Sequence, residues 1–307
     1  MRDDVLGHLL RAANAVPECP DVARWWPAYR ALARTWANPM DRAIAAGFAA
    51  DRVAWAFASG YQAALQALFP AIADDTLAAL CVTEAAGNHP RAIGTKLRHT
   101  GDGWRLDGAK RWTTLGPQGA LFLVLARDVA APGERPALKV ARVPSGAPGV
   151  RVEAMPATRF VPEVPHAQLH FEGVELDDDA LLPGDGWAHY AKPFRTVEDA
   201  HVHAAVLAYL LREARRLGWP HAWIERAAAL LLALRALAAE DPSRATTHLA
   251  LAGILEAGSA LMSEVEVHWR AAPDDAARAR WLRDRELMSV ASAARAQRTE
   301  SAWRQLG

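Results

Sequence analysis

A carboxylate and an imidazole at positions 198 and 201 form the first pair in this sequence that could do chemistry. Glu198-x-x-His201 has the spacing of the ligand pair that a helix supplies to a di-iron or di-manganese bundle site. Such a site also needs a second pair at the same spacing and two further inward-facing carboxylates. Glu264, Glu266 and His268 do not repeat the spacing. We therefore expect no metal site. The alternative to any chemical role for Glu198 is that Glu198 and Asp199 are solvated residues in the first turns of a helix, favoured by the helix dipole.

A second group of candidates surrounds the end of an apolar run at 80–83. The run stops at Glu84, in a turn that contains Gly87 and Asn88. A strand end leaves backbone N–H groups unpaired, and a glycine-bearing turn can direct such groups at a phosphate. Thr83 adds a hydroxyl that can donate or accept a hydrogen bond. The alternative interpretation is an ordinary strand threonine followed by a plain turn.

The residues that follow predict a β-hairpin and a buried strand. Residues 96–100 alternate polar and apolar side chains, Gly101-Asp102-Gly103 interrupts them, and residues 104–106 resume the alternation. Two alternating runs joined in this way favour a hairpin. Residues 110–114 are another strand candidate, in which Trp112 and Thr114, two positions apart, are expected on one face. The apolar run at 121–126 is short enough to be a strand buried on both faces.

Taken together, residues 81–128 resemble the middle β-domain of the acyl-CoA dehydrogenases, a family of flavoproteins. The likeness consists of a Cys-Val-Thr-Glu segment at 81–84, a Gly-Trp-x-Leu-x-Gly-x-Lys-x-Trp-x-Thr pattern at 103–114, and an apolar strand ending in Ala126-Arg127. Family members show Thr-Glu-Pro-x-x-Gly-Ser and Gly-x-Lys-x-Trp-Ile-Thr at these places. The likeness continues more weakly to Trp187.

The resemblance implies FAD as the cofactor and assigns six residues to it. They are Val82, Thr83, Gly87, Asn88, Trp112 and Thr114. Val82 and Thr83 would meet the pyrimidine edge, where donors stabilise the charge of the reduced flavin. Trp112 would pack on the ring, and Thr114 would hydrogen-bond near flavin N5. Gly87 and Asn88 would hold the pyrophosphate. The alternative for Trp112 and Thr114 is core packing, in a chain with 12 tryptophans.

The sequence departs from the family pattern at the turn and at the catalytic base. Ala85 stands where the family has proline, the turn is one residue shorter, and Asn88 stands for serine. Most members carry the base on a glutamate beyond a Gly-Gly loop, and the printed sequence ends at Gly307, about where that loop would begin. Other members place the base in the first bundle helix, which makes Glu198 the candidate. A carboxylate desolvated beside a flavin can have a raised pKa and remove an α-proton.

The chain divides by pattern into three parts, of fold class α+β. Residues 1–79 predict an N-terminal helical domain, shorter than the family's. Residues 80–186 predict a middle β-domain, a small barrel or sandwich. Residues 187–307 predict a C-terminal four-helix bundle. The predicted helices span 4–16, 21–36, 41–68, 194–217, 221–239, 243–271 with Ser243 as N-cap, and 274 into the 290s. Further strands are predicted at 137–143, 150–154 and 167–171.

The composition excludes several classes of function. Lys plus Arg and Asp plus Glu each number 35 among 307 residues, so no net charge points to nucleic acid or a membrane surface. Cys19 and Cys81 are too few for a disulfide framework and fit a reducing cytosol. The acidic start lacks the features of a signal peptide, and no apolar stretch has the length of a membrane span. We expect a cytoplasmic protein.

The predicted function is FAD-dependent α,β-desaturation of an acyl-CoA or another acyl thioester, an oxidoreductase reaction of fatty-acid metabolism. A base would remove the α-proton while the β-hydride passes to the flavin. The resemblance also implies an electron-transfer acceptor and a homodimer or homotetramer. The alternative is a catalytically degenerate homologue that acts as a binding or structural partner. The altered turn and the missing base segment favour this alternative, since chemistry depends on the site and not on the fold.

Overall fold

The structure is a computed structural model and describes residues 4–132, 136–272 and 275–307. Contacts group the chain into two compact units. The helical unit contains the residues up to Ala67, 158–163 and 196–307, and the β unit contains 68–157 and 164–195. The predicted domain boundaries stay predictions, because the units are defined by contacts and not by position along the chain.

The helical unit begins with four short to medium helices. They are α1 (Val5–Arg11), α2 (Val22–Thr35), α3 (Pro39–Ala49) and α4 (Val53–Leu68). Side-chain caps start the first two, where the carboxylates of Asp4 and Asp21 accept hydrogen bonds from N–H groups of the first turn at 2.7 and 2.9 Å. The predicted helix at 4–16 ends early, because Ala12 is extended with ψ of 154°.

The prediction of one helix over 41–68 is wrong. Ala50 adopts an extended conformation, with φ of −75° and ψ of 135°, which ends α3 and allows α4 to start at Val53. The carbonyl oxygens left unpaired at such a helix end need other donors. The buried guanidinium of Arg212 supplies them, donating to the carbonyls of Phe48, at 3.2 Å, and Ala50. This contact comes from a residue far away in sequence, so no local pattern could have indicated the break.

The C-terminal part of the chain contains six helices within the described residues, of which the first, α5, is the longest. They are α5 (Lys192–Leu217), α6 (His221–Leu237), α7 (Ala245–Ser263), α8 (Val265–His268), α9 (Ala276–Asp284) and α10 (Ser292–Leu306). The predicted helix to 271 ends at Ser263. The predicted start at Asp274 lies outside the described residues, and the later part of that prediction is divided between α9 and α10.

The predicted N-cap at Ser243 is also wrong. Helix α7 begins at Ala245, and its N-cap is Arg244, whose φ of −76° and ψ of 140° are extended and whose side chain makes no capping bond. Ser243 instead donates its backbone N–H to Oδ1 of Asp241 at 2.8 Å. The aspartate therefore organises the turn that precedes the helix, a role that short polar side chains commonly take.

The β unit contains a seven-stranded mixed sheet within the described residues. Its strands are β1 (Ala78–Cys81), β2 (Lys96–His99), β3 (Trp104–Thr114), β4 (Leu121–Asp128), β5 (Leu138–Pro144), β6 (Val150–Ala154) and β7 (His166–Leu176). The order is β1-β4-β2-β3-β7-β6, with β5 paired to β4. β1 and β2 are parallel to β4, and the remaining pairs are antiparallel.

The β2–β3 hairpin is confirmed, with antiparallel pairing from Lys96–Asp107 to His99–Trp104 around the turn at 101–103. The strand candidate at 110–114 continues from the second arm of this hairpin, so both belong to β3. The β4 run is buried as predicted, from Phe122 to Ala126. These strands fix the end of β1 and the middle of β3 beside each other in the β unit. No helix in residues 4–132, 136–272 or 275–307 has the length and apolarity to cross a membrane.

Candidate functional site

The end of β1 presents backbone donors that have no partner among the residues the structure describes. Val82 and Thr83 follow the last strand residue without joining a strand themselves. Nζ of Lys110 donates to the Val82 carbonyl at 3.3 Å. The N–H of Arg111 donates to the Thr83 carbonyl at 2.8 Å. Across the described residues, the N–H groups of Val82 and Thr83 and the Thr83 hydroxyl make no hydrogen bond, so they remain available to a ligand.

A buried ion pair that was not among the predicted site residues holds this strand end. The Lys110 side chain is 0% exposed, and its Nζ lies 2.7 Å from Oε1 of Glu84. The same carboxylate accepts hydrogen bonds from Thr95 N at 3.0 Å, Thr95 Oγ1 at 2.8 Å and Gly94 N at 2.7 Å. The signal that could have identified the pair is its place in the motif, since Glu84 directly follows Thr83 and Lys110 lies on the same strand as Trp112.

The surroundings of the pair favour an ionised carboxylate. Burial alone would raise the pKa of Glu84, but the charge of Lys110 and the hydrogen bonds from Lys110, Gly94 and Thr95 outweigh burial and lower it. Burial lowers the pKa of Lys110, and the charge of Glu84 opposes that change. A buried charge is costly unless it is paired and hydrogen-bonded, and this pair meets both conditions.

The turn after Glu84 closes on itself. Glu84 N donates to the Gly87 carbonyl at 2.9 Å, and Gly87 N donates to the Glu84 carbonyl at 3.0 Å. Gly87 has a φ of 111°, a conformation that favours glycine. Because the Gly87 N–H is already used inside the turn, the backbone donor left to the predicted pyrophosphate pair, among the described residues, is the N–H of Asn88, which is exposed.

Trp112 occupies a strained position on the surface of the β unit. Its φ is 57°, which is rare for a bulky residue, and 48% of the residue is exposed. Its N–H donates to Sδ of Met155 at 3.4 Å, and its ring makes an edge contact with His166, with 6.0 Å between centroids. An exposed aromatic ring held in this way is more consistent with a ligand-facing wall than with the predicted alternative of core packing.

The bulge that contains Trp112 changes the expected side-chain alternation. The pairing of β3 with β7 shifts register between Lys110 and Thr113. The prediction that Trp112 and Thr114 share a face assumed an unbroken strand, and that assumption fails here. Thr114 is half-buried and pairs with His166 at the end of the strand. Burial lowers the pKa of His166 below its ordinary value, which favours the neutral form of the ring beside Trp112.

Glu198 lies in the helical unit, whereas the six predicted flavin residues lie in the β unit. It is half-buried, in the second turn of α5. The prediction of a solvated neighbour is wrong, because Asp199 is buried and its carboxylate binds Arg295 at 2.8 Å and Arg298 at 2.7 Å. His201 is buried too, with Nδ1 2.8 Å from a backbone carbonyl one turn earlier. Among the described residues, no three His, Cys, Asp or Glu residues are grouped to hold a metal ion.

The chain is similar in sequence to the middle domain of acyl-CoA dehydrogenases, whose family model matches residues 79–174. Benzylmalonyl-CoA dehydrogenase of Aromatoleum aromaticum is 30% identical over 127 residues, which make up 40% of this chain and 33% of that protein. A second curated acyl-CoA dehydrogenase is matched over 36% of its length. The match therefore spans about a third of the length of these curated relatives.

Solved structures share the fold over most of the chain. A glutaryl-CoA dehydrogenase from Mycobacterium smegmatis, in complex with FADH2, has a TM-score of 0.64 at 15% identity and covers 98% of this chain and 92% of its own. PigA with FAD and proline has a TM-score of 0.69 at 15% identity, with 94% and 90% covered. At these identities the likeness concerns the fold alone. The predicted fold class, with helices before and after a central β-rich part, is confirmed.

Proposed function

We propose that this chain, whose residues 79–174 match the middle domain of the acyl-CoA dehydrogenases, is a member of that family, binds FAD and desaturates the α,β-bond of an acyl thioester. The observation that carries the cofactor proposal is the strand end at Val82 and Thr83. Among the described residues its N–H groups have no partner. The Thr83 carbonyl accepts a hydrogen bond from the N–H of Arg111, and the exposed Trp112 is the next residue of β3. A flavin needs hydrogen-bond donors and an apolar wall, and these residues provide both.

The residues of the β unit have separate tasks in this proposal. A bound flavin would supply the hydride acceptor. Val82 and Thr83 would donate hydrogen bonds to its pyrimidine edge, where negative charge grows on reduction. Trp112 would exclude water from one face of the ring, and Thr114 would orient it through its hydroxyl. The solved relatives with FADH2 and with FAD support this choice of cofactor.

The remaining parts of the proposal rest on family membership. The acyl group would be carried by CoA or a similar thioester, electrons would pass to a separate acceptor, and the chain would form a homodimer or homotetramer. We place the protein in the cytoplasm. The closed turn at Gly87 favours the alternative of a degenerate homologue that binds flavin weakly. The visible spectrum of purified protein after incubation with FAD decides between the two, because a protein that stays colourless would contradict the proposal.

Substituting Trp112→Ala is expected to weaken FAD binding about tenfold, because ring packing contributes on the order of 1 kcal/mol beyond burial. The dissociation constant, measured by flavin fluorescence, checks this expectation. Trp303→Ala is the matched control, since Trp303 is 63% exposed and lies in the helical unit. An unchanged constant in the Trp112 variant would assign this ring to packing and not to the flavin.

Substituting Glu198→Gln is expected to lower the rates of α-proton exchange and of dehydrogenation by about 100-fold or more, because a general base contributes that much to proton transfer. Exchange of the α-proton of an acyl thioester in deuterated water, followed by mass spectrometry, measures the first rate. The control is Glu256→Gln, at an exposed position of α7. If the Glu198 variant exchanges as fast as the control, the base is another residue.

A further inference from the structure

The position of Lys110 has a consequence for the peptide that joins Val82 to Thr83. The Lys110 side chain is entirely buried, and its ammonium group contacts the Val82 carbonyl at 3.3 Å. That carbonyl and the Thr83 N–H belong to the same peptide unit. A trans peptide is planar, so its C=O and N–H point in opposite directions. A group that holds the carbonyl therefore also sets the direction of the N–H.

The ammonium group is itself fixed in place. Glu84 holds it at 2.7 Å, and the carboxylate is tied by three further hydrogen bonds to Gly94 and Thr95. The next peptide along is fixed as well, because the Thr83 carbonyl accepts from Arg111 N at 2.8 Å. Two consecutive carbonyls are thus bound on the protein side, while the N–H groups of Val82 and Thr83 have no partner in the described residues.

The charge of Lys110, held by Glu84, also affects the strength of the Thr83 N–H as a hydrogen-bond donor. A hydrogen bond to a carbonyl from a charged group is stronger than one from a neutral group. Hydrogen-bonded groups in series polarise one another, so a cation on the Val82 oxygen makes the Thr83 N–H a better donor. An apolar side chain would fill the same buried space without the cost of desolvating a charge. Orientation and polarisation of the Val82–Thr83 peptide therefore explain the Lys110–Glu84 pair better than packing does.

We propose that Lys110, held by Glu84, is a positioning residue that aims and polarises the Thr83 N–H toward an electron-rich edge of the flavin. This inference rests on the proposed function, since it requires bound FAD. The donor is most valuable when the pyrimidine edge becomes negative, so Lys110 favours reduced over oxidised flavin. It makes no contact with the acyl substrate in this role.

The test compares the wild-type chain with Lys110→Met and with the double variant Lys110→Met/Glu84→Gln. Each is loaded with FAD, and the midpoint potential of the bound flavin is measured against a reference dye. In both variants the ratio of the affinities for reduced and oxidised flavin is expected to fall about tenfold. This lowers the midpoint potential of the bound flavin by about 30 mV for a two-electron couple. A role confined to stability would lower the unfolding midpoint of the apo-protein and leave the potential unchanged.

Two controls make the outcome specific. Lys139→Met removes another lysine of the β unit that donates to a backbone carbonyl, Gly184, and it should leave the potential unchanged. Lys110→Arg should retain the wild-type potential, because a guanidinium can donate to the same carbonyl. If the Lys110→Met single variant does not fold, the neutral double variant gives the answer, since it leaves no buried charge unpaired.

Failure of this inference is distinguishable from failure of the proposed function. A wild type that takes up no FAD overturns both. A wild type that binds FAD, together with variants that bind it at the wild-type potential, overturns only the role of Lys110.

Discussion

Replacing Gly47 by alanine is expected to destabilise the helical unit by about 3 kcal/mol, the upper end of what an inserted methyl group costs in a packed core. Gly47 lies in α3, where the helix contacts α5. A Cβ at this position would lie 2.1 Å from the carbonyl oxygen of Ala205 and 2.5 Å from its Cα. Both are backbone atoms, so relief requires a helix to move and not a side chain to rotate.

A second contact of the same kind supports this expectation. Gly60 in α4 also faces α5, and a Cβ there would lie 2.7 Å from Cα of Val202. Two glycines therefore allow α3 and α4 to approach the same helix closely. The gain that alanine normally brings to a helix interior, about 1 kcal/mol relative to glycine, is too small to compensate for separating these helices.

The matched control for Gly47→Ala is Gly253→Ala. Gly253 is an exposed residue in the interior of α7, and no atom lies within 4 Å of a Cβ built on it. There the helix propensity of alanine acts alone, and we expect a gain of about 0.5–1 kcal/mol. Urea unfolding of the apo-protein, followed by far-ultraviolet circular dichroism, gives both values. Shifts of the same sign in both variants would contradict the close contact between α3 and α5.

Sequence pattern predicts the conformation of a segment where neighbouring residues determine it. It does not predict the conformation where a contact from a distant part of the chain determines it. The β2–β3 hairpin follows from alternation and a Gly-Asp-Gly turn, and it was predicted. The break after Ala49 was not, because Arg212, which satisfies the end of α3, comes from a helix much later in the chain. The cap at Ser243 was misplaced because Asp241, two residues earlier, binds its N–H.

The same distinction applies to the candidate site. The motif located Val82, Thr83, Trp112 and Thr114 in the β unit, but strict alternation failed at Trp112, where a register shift and a φ of 57° change the strand. A bulge of this kind has no reliable sequence signal. The motif also contains Glu84 and Lys110, but it does not show that their side chains meet, because the contact joins a turn to a distant strand.

Lowering the pH from 7.5 to 4.5 is expected to destabilise the helical unit by several kcal/mol, mainly through two buried histidines of α5. Burial lowers the pKa of His201 to about 4, and the hydrogen bond that Nδ1 of His201 donates to the Val197 carbonyl opposes the change. Burial also lowers the pKa of His203 to about 4, with help from Arg295 and against the charge of Asp199. In the unfolded chain both would titrate at the ordinary value of about 6.5.

The sign follows from proton binding. Between pH 6.5 and 4 the unfolded chain binds protons at these two positions and the folded chain does not, so stability falls as pH falls. Above the unfolded value the full contribution is present, and below about 4 the two histidines cause no further loss. Each contributes at most about 3 kcal/mol, from 1.36 kcal/mol per pH unit.

Half-buried carboxylates paired with arginines act in a different pH window, which allows the two effects to be separated. Burial opposes a low pKa at Glu163 and Asp275, but their arginine partners outweigh it and hold both values below the ordinary ones of 4.5 and 3.8. Such groups contribute stability that is lost only as pH falls below those ordinary values. The loss between pH 6.5 and 5 therefore reports histidines of lowered pKa, namely His201 and His203 in the helical unit and His166 in the β unit.

Urea midpoints of the apo-protein at pH 7.5, 6.5, 5.5 and 4.5, followed by circular dichroism of the helices, measure this loss. His203→Gln should reduce the slope of the helical unit between pH 6.5 and 5.5 by about half, because one of its two histidines of lowered pKa is removed and an amide can still donate to the Asp199 carbonyl. His221→Gln, at an exposed position at the start of α6, should leave the slope unchanged. A flat profile in the wild type over this range would mean that both rings accept protons in the folded protein, so that the interior of α5 admits water or charge where the structure packs it closely.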